Sequence, residues 1–536
     1  MVKESKQSGG LEWRINVQNE TTSKVLVPES KSQIRVCNGL RGLIVGFMSR
    51  IWKFFQKAWS LAVREPKKAI HGVKNETTSK VLVPESKSQI RVCNGLRGLI
   101  VGFVSRIWKF FQKAWSLAVR EPKKAIHGVK VGVALSIVSL FYYMRPLFDG
   151  VGGNAMWAVM TVVVVFEYTV GATLCKCVNR ATGTFLAGAL GLGVHWIANQ
   201  SGEKLEPIIL EVSVFLLAAA ATFSRFIPTI KARFDYGALI FILTFSLVSV
   251  SGYRVDQLFE LAHYRLSTIA IGTSLCILTT MIFCPVWAGN ELHYLITNNT
   301  EKIADSLNGC VVEYFGINAN VNSEGEDSDK VLQGYKCVLN SKATEEAMAN
   351  FARWEPAHGR FCFRHPWNEY LKVGVLLRKC AYCIETLNVS TNSDTEAPDI
   401  LKKHFSKYCI GLSSSSSDVL KELAVTMNTM TKSTNIDLMV HEMNNAVQEL
   451  QGALKSLSKQ PIIKDSKNGA EEGNKSSSAI VPLMEIVPIV SISTLLIEIA
   501  ARIEKSVEAV NELANKAEFE EGTKKSKQNE NQQNSN

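Results

Sequence analysis

Residues 181–199, ATGTFLAGALGLGVHWIAN, decide the fold class. The stretch holds no Asp, Glu, Lys or Arg and is about as long as a helix needs to be to cross a bilayer. In hydrocarbon the backbone must satisfy its own N–H and C=O groups, so such a stretch spans as a helix. Five more apolar runs lie on either side, at 131–148, 154–170, 207–223, 236–253 and 266–288. The last two also lack the four charged residue types, while 154–170 carries Glu167 and 207–223 carries Glu211. The expectation is an all-α membrane protein: six transmembrane helices over 130–288, followed by a cytosolic helical domain over 289–520.

The connections set the orientation. Many Lys and Arg precede the first run, Lys176 and Arg180 join the second to the third, and Arg225, Lys231 and Arg233 join the fourth to the fifth. The alternate connections hold fewer bases: Arg145 at the outer edge of the first run, Lys204, and Arg254 with Arg265. By the positive-inside rule both termini are cytosolic, as an even number of spans requires. Gly183, Ala187 and Gly191 recur every four residues in the third run, a pattern that lets helices approach closely in lipid.

Across 536 residues, 46% hydrophobic content averages a membrane half with a polar half. The net charge of +11 suits nucleic acid, an acidic lipid surface or an anionic permeant, and no nucleic-acid-binding signature is present. In the polar half, helix-period patterning predicts helices at 291–315, 343–354, 366–387, 418–457 and 481–519. The acidic run 323–330, the serine run 413–417 and the stretch 464–478 read as breaks between them. The last of these and the tail 521–536 are expected to be disordered.

The N-terminal region, 1–129, contains one 56-residue segment twice, at 19–74 and 75–130, differing only at Met48 against Val104. Two near-identical copies fit a recent duplication or a doubled exon. Each copy carries an amphipathic stretch. In the first, Trp52, Phe55 and Trp59 recur at helical spacing with Arg50, Lys53 and Lys57 interleaved. Two readings stand open for it: a helix lying in the cytoplasmic interface, or one packed on the soluble part.

No phosphate-binding loop, nucleophile elbow, zinc-protease motif or kinase set occurs, so the chain does not read as an enzyme, and no cofactor is expected. The twelve cysteines form no paired framework, and Cys380 with Cys383 reads as one face of a buried helix rather than a metal site. His195 in the third run reads as a packing histidine or a proton relay. Bases at the membrane edges carry more information. Lys130, Arg145, Lys176, Arg180, Arg225, Lys231 and Arg233 offer positive charge to an anion leaving water, although bases that merely anchor the spans would occupy similar places. Glu167 calls for a basic partner, and Asp235 is placed to pair with a nearby base. Asp149, Asp256 and Glu260 lie in the outer connections and supply oxygen ligands of the type a hard cation takes.

Several ordered stretches resemble one family. KVGVALSIVSLFYYMRPLFDGVGGNAMWAVMTVVVVFEYTVGATLCKCVNR (130–180), TFSRFIPTIKARFDYGALIFILTFSLVSVSGYR (222–254), CPVWAGNELH (284–293) and ARWEPAHGRFCFRHPW (352–367) are similar to the plant aluminium-activated malate transporters. The last contains that family's WEP segment, here Trp354, Glu355 and Pro356. The resemblance implies a homodimeric membrane channel or transporter for malate and other small anions. Its anion path would be lined by Lys130, Lys176, Arg180, Arg225, Lys231 and Arg233. It also implies residence in the plasma or vacuolar membrane and, in some members, activation by external Al³⁺ through acids matching Asp149, Asp256 and Glu260. The doubled N-terminus departs from the family pattern.

Overall fold

A computed structural model of the chain describes residues 105–143, 155–202, 204–252, 258–316, 333–391, 397–457 and 483–521. The first repeat copy, the runs 323–330 and 464–478, and Asp149 and Asp256 lie outside these residues. The described chain is almost wholly helical and divides after Val286 into two compact units.

The first unit begins with α1 (105–120), followed by α2 (Pro122–Tyr143), α3 (Ala155–Val165), α4 (Val170–Gln200), α5 (Glu206–Ser224), α6 (Pro228–Gly252) and α7 (Leu258–Ile282). Helix α6 packs along both α4 and α5, and α7 packs against α3, α4 and α2. The α4–α6 approach depends on small residues: a Cβ on Gly183 would lie 2.6 Å from the Gly237 carbonyl oxygen, and one on Gly191 would lie 2.8 Å from Val248 Cγ1. The unit is apolar outside as well as in. Phe185, Phe215 and Phe223 are exposed, while Ala134, Val138, Val162 and Cys276 form its core. Water does not tolerate that much exposed apolar surface, and lipid does. Four of its helices, α4 to α7, contain segments long and apolar enough to span.

Helix starts depart from expectation. Helix α4 begins at Val170 rather than at 181, so Lys176 and Arg180 sit inside a helix and not in a connection. Thr169 supplies the reason: its extended backbone and its Oγ1, which accepts from Ala172 N at 3.3 Å, cap the helix there. Helix α6 begins at Pro228, a residue suited to the first turn, so Lys231 and Arg233 are also helical. Helix α7 extends from Leu258 to Ile282, which places Arg265 in its interior and leaves 283–287 non-helical.

The second unit contains α8 (Ala288–Tyr314), α9 (Gly334–Leu339), α10 (Lys342–Ala352), α11 (Trp367–Thr391), α12 (Asp399–Thr429), α13 (Ile436–Leu457) and α14 (Leu483–Lys516). They share one core that includes Leu292, Ile303, Tyr370, Leu377, Phe405, Leu420 and Leu496. The serine run lies inside α12 rather than breaking it. Ser413, Ser416 and Ser417 are buried, and Ser415 donates back to the Gly411 carbonyl at 3.0 Å. The helix expected over 418–457 is two helices, because Met430 turns left-handed with φ 53°. A short parallel bridge, β1 (Thr431–Lys432) with β2 (Glu520–Glu521), follows that turn. Helix α14 is apolar enough to span by composition, but Ile489, Ile492, Leu496, Ile499, Ile503, Val510 and Leu513 are all spent on this core. Its other face carries exposed Glu498, Glu504 and Lys505.

Candidate functional site

The six expected path residues fall into three environments. Two bases are neutralised by carboxylates. Lys176 pairs with Glu167, which sits in the break between α3 and α4. Arg225 grips Asp235 with two bonds, Nε–Oδ1 at 2.7 Å and Nη2–Oδ2 at 3.3 Å.

Two more are buried. Lys130 in α2 donates to the Cys284 carbonyl at 2.7 Å, in the segment after α7 that also ties to α4 through Val170 N and Val286 O at 2.9 Å. Arg180 in α4 donates from Nη1 to the Tyr236 hydroxyl at 3.1 Å, while its Nε has no hydrogen-bond partner. Lys176 lies one turn before Arg180 on the same face and sits 5.6 Å from the centre of the same Tyr236 ring. The remaining two, Lys231 and Arg233, are exposed at the start of α6, and the Arg233 backbone carbonyl accepts from Asn179 Nδ2 at 2.9 Å.

Sequence reasoning left out Arg265. It is buried in α7 with its guanidinium 4.3 Å from the centre of the Trp157 ring and its Nε unbonded. Among the described residues neither Arg180 nor Arg265 has a carboxylate partner. A buried charge without a counter-ion is costly, and an incoming anion supplies what the protein leaves out. The sequence signal for Arg265 was present in its position one residue ahead of a charge-free apolar run. His195 is buried in α4 with Nε2 unpartnered. Glu211 is exposed on α5. Glu260 lies in α7, and its side chain is outside the described residues.

The WEP segment has a structural role that the sequence did not reveal. Helix α8 starts at Ala288 with no cap of its own, and the buried Glu355 carboxylate accepts from Ala288 N at 2.6 Å and from Gly289 N at 3.0 Å. A negative charge at a helix N-terminus is favourable, and here it satisfies two otherwise open donors. His358 stacks on Trp287 at 3.9 Å beside it. Deeper in the unit, His293 Nδ1 and the Tyr370 hydroxyl share a 3.0 Å hydrogen bond, with His365 Nε2 3.4 Å from the same hydroxyl. Burial, helped by Arg360, pushes His293 down to about 4. Burial, helped by His358, pushes His365 down to about 4. Cys380 and Cys383 are buried on α11, and burial raises both thiols. Among the described residues no three His, Cys, Asp or Glu side chains cluster to hold a metal ion.

An all-α unit that is apolar on its outside and holds uncompensated bases within defines an integral membrane transport protein. The family model described as aluminium activated malate transporter matches residues 115–481, and the chain belongs to that family, one of transporters rather than enzymes. The chain is 56% identical to aluminum-activated malate transporter 10 of Arabidopsis thaliana, over 84% of this chain and 94% of that protein. It is 46% identical to aluminum-activated malate transporter 2 of the same plant, over 76% and 78% of the two chains. It is 42% identical to aluminum-activated malate transporter 1 of Triticum aestivum, over 79% and 89%.

Proposed function

We propose that this chain is a passive channel for malate and other small anions, with six spans over 130–288, both termini and the helical domain in the cytosol, and two copies in the working assembly. The supporting observation is the pair of buried guanidinium groups, Arg180 and Arg265, each with an unbonded Nε and no acid partner among the described residues. A path lined this way lowers the cost of desolvating a dicarboxylate without binding it so tightly that it cannot leave. Voltage clamp of the expressed protein tests it: current reverses near the malate or chloride equilibrium potential and ignores pH at a fixed anion gradient. A reversal potential that follows the proton gradient replaces the channel with a proton-coupled carrier. The outer acids Asp149, Asp256 and Glu260 form an activating site for Al³⁺ in this reading. It fails if Asp256→Asn with Glu260→Gln leaves an aluminium response intact.

A further inference from the structure

Helix α1 lies within the second repeat copy, and its residues sort by face. Arg106, Lys109, Lys113 and Arg120 are spaced by three, four and seven residues, which gathers all four bases into an arc of about 60°. Ile107, Trp108, Phe111 and Trp115 occupy the opposite side. On the apolar side Ile107 is 38%, Phe111 49% and Val119 55% exposed. None of the four bases forms an ion pair among the described residues, and the acid nearest in sequence, Glu121, is taken by Lys124. Only Glu121 separates α1 from α2, whose apolar run begins at Val131, ten residues further on.

We propose that α1 is a docking site for anionic phospholipid headgroups, lying in the cytoplasmic interface with its aromatic side in the acyl boundary and its four bases toward the headgroups. The occupant follows from the charge: four clustered bases with no ion pair among the described residues are complementary to a negatively charged bilayer surface, and the exposed Phe111 ring on the opposite side suits the depth of that interface. The first copy repeats every one of these residues as Arg50, Lys53, Lys57, Arg64, Ile51, Trp52, Phe55 and Trp59.

The inference rests on reading α2 as the first span, and the test separates the two. The full chain is reconstituted in nanodiscs of phosphatidylcholine alone and of phosphatidylcholine with 30% phosphatidylserine, and backbone hydrogen exchange is followed by mass spectrometry. Peptides containing Val104 or Met48 distinguish the copies by mass. Exchange over 105–120 slows about tenfold or more in the anionic discs, while α2 is protected in both. The triple variant Arg106→Gln, Lys109→Gln, Lys113→Gln loses the difference, because at about 1 kcal/mol per base the docking equilibrium falls roughly a hundredfold. Lys109→Arg with Lys113→Arg keeps it. Unchanged exchange over α12 in every variant certifies folding. Equal exchange over 105–120 in both bilayers overturns the proposal and leaves the span standing, and so does loss of the difference in the Arg variant. Exposure of α2 in both bilayers overturns the span reading itself.

Discussion

Glu167→Gln is the sharpest test of the path, because it predicts a gain. Glu167 neutralises Lys176, which sits one helical turn from Arg180, and both bases contact Tyr236. An anion held at Arg180 therefore lies on the order of 10 Å from the Glu167 carboxylate. Coulomb's law gives a repulsion of about 1.7 kcal/mol at an effective dielectric of 20 and about half that at 40, the range appropriate to a partly solvated pair. Removing the negative charge lowers the half-saturating concentration of a monovalent anion about fourfold to seventeenfold, and that of a dianion by roughly the square of that factor. The assay is current against anion concentration in oocytes, normalised to surface protein, with Glu167→Gln/Lys176→Gln as the control that returns the affinity. An unchanged or raised half-saturation at normal surface abundance would refute the path through Arg180, whereas bases that merely anchor the spans predict no gain.

The other predictions concern the buried bases and the helical unit. Arg180→Gln and Arg265→Gln each lower anion conductance about tenfold or more at constant surface abundance, and Arg265→Lys does not restore it because Lys lacks the broad, weakly hydrated guanidinium that lies over Trp157. Glu355→Ala removes the acceptor for two N–H groups and a charge at the start of α8, a loss of about 3 kcal/mol that hydrogen exchange reads as roughly hundredfold faster opening of Gly289. His293 and His365 are held near 4 in the folded state against 6.5 unfolded, so the unfolded chain binds more protons between those values. Their contribution is whole above pH 6.5 and is lost as pH falls toward 4, by about 2 kcal/mol per histidine at pH 5. Melting curves of the purified protein at pH 7.5 and 5 measure it, and His365→Gln shrinks the gap by about half.

Hydropathy found α4 to α7, the helices of the first unit long and apolar enough to span, because crossing a bilayer imposes a length and a composition on the sequence. It misplaced their starts for a related reason. A window that seeks charge-free runs ends at the first base, so Lys176, Arg180, Lys231, Arg233 and Arg265 were read as connections when they belong to helices. Nothing in VGATLCKCVNR breaks a helix, and Thr169 was the cap to notice. The serine run misled in the opposite direction, since serines read as a break until neighbouring helices bury them. Residue type identified the candidate bases, but which of them lack an acid depends on pairings across the fold. Arg225 reaches Asp235 ten residues on, and Glu355 reaches α8 across 66 and 67 residues. Such pairings leave no periodic trace.

The start of α6 shows how anchoring and conduction come apart. Residues 225–235 hold three bases, Arg225, Lys231 and Arg233, and one acid, Asp235, a net of +2. A helix N-terminus favours acids and disfavours bases, so Lys231 and Arg233 are placed against the local dipole. Asp235 would relieve them, yet Arg225 holds it with both carboxylate oxygens engaged. The positive-inside rule speaks to how many bases stand at this end of α6 but is indifferent to whether the local acid is withheld from them. Withholding it leaves two exposed cations and the positive end of a helix dipole facing the same solvent, an arrangement that concentrates anions at the mouth of a path. The two roles then separate by salt. Charge removal at Lys231 that lowers conductance at low ionic strength, and much less once added impermeant salt shortens the Debye length to about 8 Å or below, marks electrostatic capture. A loss independent of salt marks an anchor.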